Sequence, residues 1–131
     1  MDQYTLTIYS IINLIITSIL IGFAIVVASR RNSLSGKMLA ALIVSVAIWT
    51  FTAALDTAAI DLEVKIFWSK IQYIGIFTIP GFLFLFIYYF YNNNVALNQK
   101  KQILLWIIPI LTILLAFTNE WHMLIWTDFT P

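Results

Sequence analysis

A handful of side chains sit where they could do more than fill space. They are Asp56, Trp68, Gln72, Tyr73, Asn119, Glu120 and His122. Asp56 interrupts an apolar run about one turn before its end. A carboxylate there can reach outward to headgroups, pair with Lys65 or Lys70, or form a ligand or proton site in a shallow cavity. Trp68 and Tyr73 follow Lys65 at the start of another run, a usual pattern for interfacial anchoring, while Gln72 lies deeper and needs a partner. His122 is the only histidine. Together with Glu120 it supplies two donors, but no further ligand stands at metal spacing, so no metal is expected. The plainer role for Thr118 to Trp126 is an interfacial loop anchored by Trp121 and Trp126. The sharper one is a His122 that answers to pH or touches a ligand. Phosphate-loop, nucleophile-elbow and zinc-helix motifs are all missing, and no Ser/His/Asp set can be assembled. Neither an enzyme nor a cofactor is expected of this chain.

The elements that must carry these residues follow from composition. The chain has 131 residues, 62% hydrophobic and 10% charged, against about 25% charged in a soluble domain. A chain this short cannot hide so much apolar surface from water. Lipid is the solvent that fits. Four runs stand out, at about 6–28, 38–60, 67–91 and 102–118. About 20 residues cross a bilayer core as a helix. The many Ile and Val residues do not argue for strands, because a helix in lipid satisfies every backbone group within its own segment. The first run is too long for a signal peptide's apolar core and is preceded by an acid rather than bases. Pro80 and Pro109 fall inside the third and fourth helices and predict kinks there. Ser10, Asn13, Thr17, Ala24 and Ala28 share a side of the first helix, as do Ala41, Ser45, Thr52 and Asp56 of the second. Such small and weakly polar faces are expected to meet protein. The expected fold is all-α: about four transmembrane helices in an antiparallel bundle, in a multi-pass protein of the cell membrane.

Charge gives the bundle a direction. Arg30, Arg31 and Lys37 lie between the first two runs, and Lys100 and Lys101 between the last two. Only Lys65 and Lys70 lie on the other side. The positive-inside rule puts the first and third loops in the cytoplasm and the amino terminus outside. The acids Asp2, Asp56, Asp61, Glu63, Glu120 and Asp128 all fall on the outer side. A net charge of +1 without a basic stripe leaves no footprint for nucleic acid. Cysteine is absent, which excludes disulfides.

Three segments carry a resemblance. The first is Ala47-Ile48-Trp49 followed by Ala54-Leu55-Asp56. The second runs from Lys65 through Trp68 and Gln72-Tyr73-Ile74-Gly75 to Pro80. The third is Thr118-Asn119-Glu120-Trp121-His122-Met123-Leu124-Ile125-Trp126. In order and spacing they resemble the amino-terminal seven-helix membrane region of sensor histidine kinases, over nearly the whole chain. The resemblance implies a sensory input module of a two-component system, with a small ligand at the outer side and a cytoplasmic kinase as output. It also implies that these four helices are the first part of a seven-helix region, and that catalytic domains are not part of this chain. Asp56, Trp68, Gln72, Tyr73, Asn119 and His122 are then expected to line or gate an outer cavity. A small four-helix transporter or channel subunit is the alternative. It is weakened by the lack of an acid deep in the membrane.

Overall fold

Backbone groups in hydrocarbon have no water to bond, and this chain answers with helices. The computed structural model describes residues 4–127. Asp2, Asp128 and Pro131 lie outside the described residues. Four long helices run in order: α1 (Ile8–Arg30), α2 (Leu34–Ala58), α3 (Leu62–Tyr91) and α4 (Gln99–Phe117), followed by a single turn, α5 (Asn119–His122). All four long helices are long and apolar enough to cross a membrane. Among the described residues there is no strand, only an isolated antiparallel bridge between Tyr4 and Ala59.

Local chemistry sets the helix ends. Thr7 and Ser10 form a reciprocal cap at the start of α1: Ser10 N donates to Thr7 Oγ1 (3.1 Å) and Thr7 N to Ser10 Oγ (3.0 Å). Ser33 caps α2 by accepting from Gly36 N at 3.1 Å. This starts α2 at Leu34, whereas the apolar run begins only at 38. Likewise α3 starts at Leu62 rather than 67, with Glu63 in the favourable first turn. The helices thus start before the apolar runs, absorbing segments that read as loops in the sequence. Asn93 and Asn94 take left-handed φ angles of 50° and 63°, which Asn tolerates better than most residues. They turn the chain from α3 toward α4.

The long helices pack in series, α1 on α2, α2 on α3 and α3 on α4, with the α2–α3 contact the most extensive. Ser10, Thr17 and Ala24 are the buried residues of α1, one heptad apart. Helix α2 carries two seams. Ala40 and Ala47 share a groove with α1, while Ser45 faces α3, accepting from Thr78 Oγ1 at 3.0 Å. Between α1 and α2, Thr17 and Thr50 join hydroxyls at 2.8 Å. Gly75 sets how closely α2 and α3 approach. A Cβ there would lie 2.8 Å from the Ser45 carbonyl oxygen and 2.9 Å from Trp49 N. Trp106 of α4 lies against Gly81 of α3 and stands edge-on to Phe82 at 4.9 Å. Hydroxyls outside these seams, such as Ser18 and Thr112, bond back to the carbonyls of Leu14 and Ile108. That satisfies them within their own helix. Ile12, Ile15, Ile19 and Phe23 of α1 are exposed, a liability in water and an ordinary surface in lipid.

Candidate functional site

Antiparallel helices in series give the molecule two ends, each tied across by its own bonds. At one end Asn94 Oδ1 accepts from Ser35 N at 2.8 Å. This joins the α3–α4 turn to the start of α2. Tyr89 and Leu97 are buried there, and Gln102 Nε2 donates to Tyr89 OH at 2.8 Å. At the other end Thr5 N donates to the Ala58 carbonyl at 2.7 Å. This second end collects the six residues expected to line or gate a cavity, Asp56, Trp68, Gln72, Tyr73, Asn119 and His122, together with Glu120.

Their contacts run to different partners. Asp56, half-buried near the end of α2, accepts from Ser69 Oγ of α3 at 3.3 Å. It does not pair with a lysine. Lys70, whose side chain is 13% exposed, pairs instead with Glu120 of α5. Trp68 Nε1 donates to Tyr4 OH at 3.1 Å, tying α3 to the segment before α1. Tyr73 lies edge-on to Trp126 with ring centroids 5.0 Å apart and stacks on Phe77. The Gln72 side chain is half-buried and makes no hydrogen bond among the described residues.

Asn119 and His122 organise the segment after α4. Asn119 is buried. Its Oδ1 accepts from Ile125 N (2.9 Å) and Trp126 N (3.2 Å), and its Nδ2 donates to the Trp126 carbonyl (3.0 Å). His122 Nδ1 accepts from Leu124 N at 3.1 Å. A neutral ring with that acceptor carries its proton on Nε2, which faces Thr118 Oγ1 at 3.0 Å. Thr118 Oγ1 in turn donates to the Leu114 carbonyl at 2.8 Å. The result is a relay from ring to helix end. Met123, at φ 49°, makes the bend that returns the chain to Asn119.

Sequence reasoning named Asn119 and Trp126 through their motif. It missed the Lys70–Glu120 pair and the role of Ser69. Both residues of the pair could be placed on the same side of the membrane, but nothing local links positions 50 residues apart. Among the described residues no group of three or more His, Cys, Asp or Glu stands close enough to hold a metal. The arrangement offers hydrogen bonds, an ion pair and aromatic faces spread over α2, α3 and the segment after α4.

The matching family is described as the N-terminal 7TM region of histidine kinase, and it matches residues 12–131. The chain belongs to that family, and it is a multi-pass membrane protein. No curated protein and no solved structure matches it.

Proposed function

We propose that this chain is part of the membrane-embedded input module of a two-component sensor, reading a small ligand or a membrane property at the end that holds Asp56. Membership of the histidine-kinase 7TM family carries this reading. The polar contacts at that end support it, because each joins separate elements: Asp56 with Ser69, Lys70 with Glu120, Trp68 with Tyr4. A ligand that replaces one of them changes the relative energy of two helix arrangements, and the populations follow. Gln72, half-buried and unpaired among the described residues, is the side chain best placed to gain a bond from such a ligand. The basic loops at the opposite end put that end in the cytoplasm by the positive-inside rule, in the cell membrane. There the kinase output would receive the change. Trp68, Tyr73, Asn119 and His122 hold the receiving end in shape.

The test uses a complete receptor bearing this region. Asp56→Asn and Gln72→Ala are expected to change kinase output at unchanged membrane abundance. Output falling in step with abundance would mean that these residues only hold the helices together. A transporter subunit is the second reading. Flux in proteoliposomes that disappears with Asp56→Asn would favour it.

A further inference from the structure

At the other end of the molecule, α1 and α2 leave a groove of about 550 Å³ open to the membrane. Five alanines contribute to its lining, Ala24 and Ala28 from α1 and Ala40, Ala41 and Ala47 from α2, so the helices touch without filling the space between them. The groove reaches from Thr17, bonded to Thr50 near the middle of α1, to Ala28 near its end. At ~1.5 Å per residue that is about 16 Å, close to half of a ~30 Å hydrocarbon core. Its length is therefore that of one leaflet.

Three exposed bases follow its lining along the chain: Arg30 and Arg31 come just after Ala28, and Lys37 just before Ala40. No acid occurs between Asp2 and Asp56, so no carboxylate from α1 or the first half of α2 can neutralise them. Lys70 and Glu120, at the far end, form the ion pair found among the described residues. Gly36 keeps Arg31 close to the start of α2. A Cβ at that position would lie 2.5 Å from Arg31 Cβ and 2.8 Å from its carbonyl oxygen, so Arg31 is folded tightly over the start of α2. The positive end of α2 adds to the field.

We propose that this groove is a binding site for an anionic phospholipid, one acyl chain lying along the alanines and the phosphate headgroup on Arg30, Arg31 and Lys37. Charge complementarity selects the occupant. A neutral lipid would leave the bases without a counterion, and an apolar helix from a second copy would bring them none. A basic pocket between membrane helices on the cytoplasmic side is a setting in which anionic headgroups bind.

The test is lipid retention. The chain is released from nanodiscs of equal phosphatidylglycerol and phosphatidylcholine with matched acyl chains, and native mass spectrometry counts the lipid that stays bound. Phosphatidylglycerol is expected to exceed phosphatidylcholine by about fivefold for each base engaged. Changing Arg30, Arg31 and Lys37 together to Gln should bring the two lipids level. Ala28→Leu, at an exposed position, should reduce retention of both lipids, with helical circular dichroism unchanged. Equal retention by the native chain would overturn the proposal, as would a preference that survives the Gln variant. A lipid-free dimer would also overturn it and assign the groove to a second copy.

Discussion

Asn119 uses both ends of its amide on the segment that follows it. Asn119→Ala leaves the amides of Ile125 and Trp126 without their acceptor. It should cost about 1–3 kcal/mol locally. Hydrogen exchange would register this as faster exchange at Ile125 and Trp126, with protection in α2 and α3 unchanged. Unaltered exchange would mean that the contact between Tyr73 and Trp126 suffices to hold the segment. Asn119 was legible in the sequence because its motif is local. The partners of Lys70 and Asp56 were not, because choosing among several polar residues at one membrane face requires the rotation of each helix about its axis. A shift of one residue in α3 exchanges Ser69 for Lys70 as the residue nearest Asp56.

The helices themselves follow from the apolar runs. Their starts follow from local polar residues, which hydropathy does not register: Ser33 caps α2 at Leu34, while α3 opens at Leu62 among charged residues with no side-chain cap bond from Asp61. The close approach of α2 to α3 rests on Gly75, which drew notice in the sequence only as one member of a motif. Gly75→Ala puts a methyl group against the backbone of Ser45 and Trp49. It is expected to cost about 1–3 kcal/mol, the usual penalty of overpacking. Gly22 is the control, since a Cβ there meets nothing within 4 Å. Gly22→Ala should stabilise by about 0.5–1 kcal/mol through the backbone entropy of the unfolded chain. Thermal unfolding in detergent, read by circular dichroism, should therefore move in opposite directions for the two variants. The seam between α1 and α2 is softer. Thr50→Val removes its cross-helix bond and should cost only about 0.6 kcal/mol, read in the same experiment.

At the scale of the molecule, one end is the proposed receiver and the other the proposed cytoplasmic anchor. Asp56, Trp68, Gln72, Tyr73, Asn119 and His122 gather at the first end because antiparallel helices return there. The bases of the first and third loops gather at the second for the same reason. Which residues share an end was legible from charge and run length alone. The serial packing was not, because apolar side chains in lipid gain nothing from one another that lipid does not also give. The direction of the molecule can be measured without background, because the chain has no cysteine of its own. Single cysteines at Asn32 and Ala96 mark one end, and at Ile60 and Trp121 the other. All four positions are exposed. In intact cells a membrane-impermeant maleimide should label the cysteines at 60 and 121, and label those at 32 and 96 only after the membrane is opened. Labelling of 32 and 96 in intact cells, with 60 and 121 protected, would place the Asp56 end in the cytoplasm and contradict an outward-facing receiver.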